Sequence, residues 1–148
     1  KQAFVHLIEG RSAQATHHME VAIKHFQQAK QLVNVSAAHP PPYYYAPLLA
    51  DLALAEVYEQ NHRLDEAIEI RQEIITHKIQ SFYPGFVMGP FEWVMAHYHL
   101  GRLYALKGER VKATEYYQEF LGYWSAADQP LPEIQAAKDQ LARLSESN

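Results

Sequence analysis

Three alanines act as a ruler for this chain. Ala22, Ala67 and Ala113 lie 45 and 46 residues apart, and the same kinds of residue return around each. Twelve before stands a small residue (Gly10, Ala55, Gly101), and nine before stands Ala13, Tyr58 or Tyr104. Four after stands Phe26, Arg71 or Tyr117, five after always a glutamine, and seven after Ala29, Ile74 or Phe120. Such self-similarity marks a repeat architecture. Small residues at two facing positions let antiparallel helices come close, and large flanking residues fill the remaining space. A single hairpin cannot bury its apolar face alone, so hairpins must stack. The frame therefore runs 3–36, 48–81 and 94–127, and the chain reads as all-α.

The third hairpin is the best defined, in the stretch AHYHLGRLYALKGERVKATEYYQEFLGYW from Ala96 to Trp124. Its turn falls at Gly108; His17 and His62 occupy the same place in the other two. Helices are expected over 2–15, 17–34, 45–60, from the Asp65-Glu66 turn to about 79, from Pro90 to about 107, and from about 109 to 124. Carboxylates such as Asp65 and Glu66 suit a helix start because they face its positive end. Proline is tolerated in a first turn and not in an interior, so Pro42 or Pro47 opens the second repeat and Pro90 the third. A last helix over 131–145 carries Ile134, Ala137, Leu141 and Leu144 on one face and caps the stack. Two inserts, 37–47 (AAHPPPYYYAP) and 82–93 (FYPGFVMGPFEW), separate the frames and are rich in Pro and aromatics. They pack along the edge of the stack or form a binding lip.

This pattern resembles the tetratricopeptide repeat family, on Leu100-Gly101, Tyr104, Gly108, Ala113 and Tyr117 in the third repeat, Leu54-Ala55, Tyr58 and Ala67 in the second, and Gly10, Ala22, Phe26 and Ala29 in the first. Departures are Phe120 for the family's alanine, Arg71 for its aromatic, His62 and His17 for its glycine, and Glu9 for its large residue. The resemblance implies a right-handed α-solenoid of three hairpins plus a capping helix, about seven helices, in one domain spanning 1–148. From His97 onward the chain is also similar to the ends of helical-repeat regions in bacterial serine/threonine kinases and signalling or transcriptional regulators. The stretches that carry this are Leu100-Gly101-Arg102-Leu103-Tyr104, Lys112-Ala113, Tyr117 to Trp124, and Ala127-Asp128. It implies a docking or regulatory region of a longer cytoplasmic protein, and the start at Lys1 without an initiator Met fits a piece of one. No Gly-rich phosphate loop and no His-Arg-Asp stretch is present.

In that family the first helix of each repeat lines a concave, peptide-binding face. Carried over, the positions are Phe4, Leu7, Arg11 and Gln14; Leu49, Leu52, Glu56 and Glu59; and Met95, Tyr98, Arg102 and Ala105. The partner-binding candidates among them are Arg11, Gln14, Glu56, Glu59, Tyr98 and Arg102. The same charges can instead pair with one another across stacked helices. The Lys and Asn set with which some members clamp a terminal carboxylate is missing. A second candidate surface is an aromatic patch of Tyr43, Tyr44, Tyr45, Tyr83, Phe86 and Phe91 from the inserts.

Composition narrows the remaining classes. The net charge is −4 with no clustered basic stretch, which argues against nucleic acid. No apolar run is long enough to span a membrane, and no signal peptide is recognisable. There is no Cys, so disulfides, thiolate metal sites and a Cys nucleophile are excluded. Asn34-Val35-Ser36 is a formal glycosylation sequon that counts only in a secreted eukaryotic protein. His97 and His99 point about 200° apart on a helix and cannot share an ion; a helical pair needs i, i+3 or i, i+4 spacing. His18 and His25 can share a face, and His17 and His62 are turn residues. The carboxylate pairs Glu56/Glu59 and Glu69/Glu73 have the spacing of an ordinary solvated face. The expectation is a non-enzyme with no cofactor and no metal. Its partner is a protein, a peptide or another domain of the same chain. Alternatives are a small-ligand sensor or a homo-oligomeric self-association module using the aromatic inserts.

Overall fold

The computed structural model describes residues 2–33, 46–76, 88–124 and 131–146. These form seven helices and no strand: α1 (Gln2–Ala15), α2 (Met19–Val33), α3 (Ala46–Gln60), α4 (Leu64–Thr76), α5 (Met88–Leu106), α6 (Arg110–Trp124) and α7 (Pro132–Glu146). The fold is all-α. No helix among the described residues is long and apolar enough to cross a membrane. Pro47 sits in the first turn of α3 and Pro90 in the first turn of α5. The third repeat's first helix thus begins two residues ahead of its proline. Proline costs nothing there because a first-turn N–H has no intrahelical acceptor to lose.

The same turn closes three hairpins. At His17, His62 and Gly108 the backbone is left-handed, with φ of 60°, 57° and 78°. In each turn the amide of that residue donates to the carbonyl three back, and the next amide donates to the carbonyl five back. The pairs are His17–Gln14 and His18–Ala13, His62–Glu59 and Arg63–Tyr58, Gly108–Ala105 and Glu109–Tyr104. This is the double bond pattern of a helix ended by a left-handed residue, normally glycine. Histidine tolerates the left-handed region better than most side chains, though at a cost. The following helix then starts by the same bond each time: Ala22 to His18, Ala67 to Arg63 and Ala113 to Glu109.

The contacts divide the chain into two compact units, Lys1–Gln80 and Ser81–Asn148. In the first, α1 packs on α2, α2 on α3 and α3 on α4. Ala22, Phe26, Ala29, Ala53, Ala55, Val57 and Ala67 are wholly enclosed there. A Cβ on Gly10 would lie 2.4 Å from the Phe26 ring, so the missing side chain is what lets that ring in. The second hairpin puts Arg71 at the aromatic's place. Its guanidinium is buried and donates to Glu59 Oε1 at 3.2 Å. Lys30 of α2 reaches Asp51 of α3 at 2.9 Å and also Glu73 of α4. Burial lowers the Lys30 pKa, but its hydrogen bonds to Glu73 and Asp51 outweigh that and leave it raised. On α2, Ile23 is buried beside Ala22 and Phe26, whereas Val21 and Leu32 are exposed.

In the second unit α5 packs on α6 and α6 on α7. Met95, Tyr117, Phe120 and Ala137 form the core, with Ile134, Leu141 and Leu144 of α7 packed against it. The apolar stripe read from the sequence is therefore the face that α7 buries. Full burial of rings such as Tyr117 and Phe120 is worth about 1.5–3 kcal/mol each. Gly101 repeats the Gly10 device, since a Cβ there would lie 2.8 Å from the Tyr117 ring.

Candidate interaction surface

The sequence candidates in the first unit gather where α1 meets α3. Residues four apart share a helix face, so Phe4, Ile8 and Arg11 run along one side of α1. Phe4, Leu7, Ile8 and Arg11 line a groove of about 350 Å³ together with Leu49 of α3. Ile8, 71% exposed, stands at the rim of that groove. Arg11 also borders a second concavity of about 570 Å³, lined with Gln14, Ala15, His17, Met19 and Gln60. Polar side chains are more frequent toward the Gln14 end, while the lining stays mostly apolar throughout.

The polar half is held by a ladder between the two helices. Arg11 pairs with Glu56 through Nη1 and Oε2, and the same Nη1 donates to Gln14 Oε1 at 3.0 Å. Gln14 Nε2 donates to Gln60 Oε1 at 3.0 Å. The Arg11 guanidinium also stands 5.8 Å from the centre of the Phe26 ring. Arg11 and Glu56 are each about half exposed, so water screens their attraction and the pair contributes about 0–1 kcal/mol to stability. Their groups stay available at the surface in a fixed arrangement.

Glu59 has a different setting. It is mostly buried and faces Arg71 inside the second hairpin. Tyr98 and Arg102 belong to the second unit. The Tyr98 ring packs 5.3 Å from Phe120 and 6.0 Å from Tyr117, centre to centre. Burial pushes the Tyr117 phenol up to about 12, with Tyr98 adding to the rise and Arg102 opposing it. Both candidates therefore stand beside a core tyrosine. Phe91 is 41% exposed and meets Trp124 edge-on at 6.1 Å. Tyr43, Tyr44, Tyr45, Tyr83 and Phe86 lie outside the described residues.

The histidines divide in a way that spacing along one helix does not reveal. His97 is 2% exposed, donates from Nδ1 to the Trp93 carbonyl at 3.0 Å and has Glu119 at 3.4 Å from Nε2. Its ring sits among Trp93 and Tyr123, with centres 4.6 and 5.2 Å away. That is a packed, structural histidine. His18 bonds to Thr16 at 3.0 Å. His25 turns instead toward α1, where its Nδ1 lies 3.1 Å from His6 Nδ1 and 3.2 Å from Glu9 Oε2. His6 and Glu9 are i, i+3 on α1, which was the available signal; their partner on α2 needed the hairpin to be folded.

No protein-family model matches the chain, and no curated protein matches it.

Proposed function

We propose that the chain is an interaction module whose α1–α3 face receives a peptide segment of a protein partner or of another domain of its own chain. The observation that carries this reading is the groove along α1. An apolar end, in which Ile8 is exposed, Phe4 and Leu49 are partly buried and Leu7 forms the floor, runs into an end whose Arg11, Gln14, Glu56 and Gln60 are already bonded to one another. Apolar residues left in water beside a preset row of donors and acceptors suit a segment with an apolar anchor followed by polar residues. Charges of both signs sit at the polar end, so the occupant need not be strongly charged. The resemblance of the segment from His97 to Leu144 to the ends of helical-repeat regions in bacterial signalling proteins is what supports reading the module as a docking or regulatory region of such a protein.

Peptide-library selection against the chain tests the reading, followed by affinity measurements on variants. Ile8→Asp, at a site already 71% exposed, leaves the fold intact and weakens selected peptides about tenfold or more. Arg11→Glu weakens them as well. Val111→Asp, on α6 and equally exposed, leaves affinity unchanged. Peptides that bind Ile8→Asp and Arg11→Glu as tightly as the wild type would overturn the assignment.

A further inference from the structure

We infer that His6, Glu9 and His25 form a binding site for a divalent transition-metal ion of the zinc class. Three ligand atoms converge there: His6 Nδ1 and His25 Nδ1 are 3.1 Å apart, His25 Nδ1 and Glu9 Oε2 3.2 Å, and His6 Nδ1 and Glu9 Oε2 3.4 Å. The triangle is close to equilateral. A tetrahedral ion with bonds of about 2.0–2.1 Å holds neighbouring donors about 3.3–3.4 Å apart, so the three edges match one face of such a tetrahedron to within about 0.2 Å.

Hydrogen bonding alone serves this arrangement poorly. Each neutral imidazole offers at most one Nδ1 proton, and the carboxylate offers none. With a single proton in the triangle, one edge is bridged and the remaining lone pairs face each other. With a proton on both nitrogens, both N–H groups can donate to Glu9 Oε2, but the two donors then stand only 3.1 Å from each other. One cation at the centre satisfies all three donors at once, and the carboxylate offsets part of its charge.

The donor set selects the ion. Two imidazoles and one carboxylate suit zinc and its neighbours, whereas magnesium and calcium prefer all-oxygen shells. The His6 and His25 side chains are about a quarter exposed and that of Glu9 about half, so an ion can enter from solvent and water can complete its shell. The ligands come from both helices of the first hairpin, so binding staples α1 to α2. At 100° per residue, His6 and Glu9 lie on the side of α1 away from Phe4, Ile8 and Arg11. The ion site is therefore separate from the groove, and neither proposal depends on the other.

The test is calorimetric titration of zinc into the chelator-treated, tag-free chain, with thermal melts alongside. The expected result is one zinc ion per chain and a melting temperature that rises with added zinc. Magnesium gives neither effect. His25→Ala and Glu9→Gln lose the binding and the rise, while His18→Ala keeps both. Circular dichroism checks that each variant is folded. Should His25→Ala fail to fold, Glu9→Gln and His6→Gln, at partly exposed positions, decide the matter. No zinc uptake by the wild type, or uptake undiminished in the folded variants, would overturn the inference.

Discussion

Gly10→Ala is the substitution whose outcome the structure constrains most tightly. Gly10 sits inside α1, and a helix interior ordinarily gains about 1 kcal/mol when glycine becomes alanine. Here the new Cβ would lie 2.4, 2.6 and 2.9 Å from three atoms of the Phe26 ring. Carbon atoms rest about 3.5–4.0 Å apart, so the ring must retreat by about 1 Å. Phe26 has no exposed surface, and the helix contact around it has no slack. Overpacking of this kind costs about 1–3 kcal/mol, and a three-atom clash belongs at the upper end. The net effect is a loss of about 1–2 kcal/mol, which lowers the melting temperature by about 2–4 °C per kcal/mol. Urea unfolding followed by circular dichroism reads it directly. A smaller ring-site residue should relieve the clash. The double variant Gly10→Ala/Phe26→Leu is expected to be about 1 kcal/mol more stable than the sum of the single effects. A Gly10→Ala protein as stable as the wild type, or simple additivity with Phe26→Leu, would refute the close approach of α1 and α2.

The turns and the buried arginine give two further predictions. Gly108→Ala costs about 1–2 kcal/mol because φ there is +78°, and with open space around the site the whole effect is backbone strain. His62→Gly, at a φ of 57°, raises stability by about 1 kcal/mol in the same thermal melts. Arg71→Ala removes the guanidinium that the largely buried Glu59 faces and costs about 2–4 kcal/mol, less than a fully enclosed pair because Glu59 keeps some contact with water. Adding Glu59→Gln to Arg71→Ala recovers part of that loss in chemical denaturation.

The hairpin register was legible in the sequence because its signals are local and periodic. Small residues at Ala22, Ala67 and Ala113 are forced by helix contact, and a reversed chain needs one left-handed residue per turn. His17 and His62 stand where Gly108 does in the repeat frame, and all three are the left-handed turn residues. The apolar stripe of α7 was visible for the same reason. Pairings across helices were not. Arg71 stood out only as a departure from an aromatic, and nothing in the sequence joined it to Glu59. Spacing along α2 relates His25 only to His18, whereas its neighbours are His6 and Glu9 on the preceding helix. Arg11 and Glu56 were placed on one surface by the repeat frame, and that frame also made their pairing a foreseeable alternative. The exposure of Ile8 was not foreseeable, because its spacing with Phe4 and Leu7 reads as a core stripe.

Under the proposed function, a peptide docks on the α1–α3 face. The most direct measurement is an NMR titration of the isotope-labelled chain with a library-selected peptide. Shifts are expected to concentrate at Phe4, Leu7, Ile8, Arg11 and Leu49, with α6 and α7 unaffected. Shifts centred on other helices, with these residues unmoved at saturation, would contradict it.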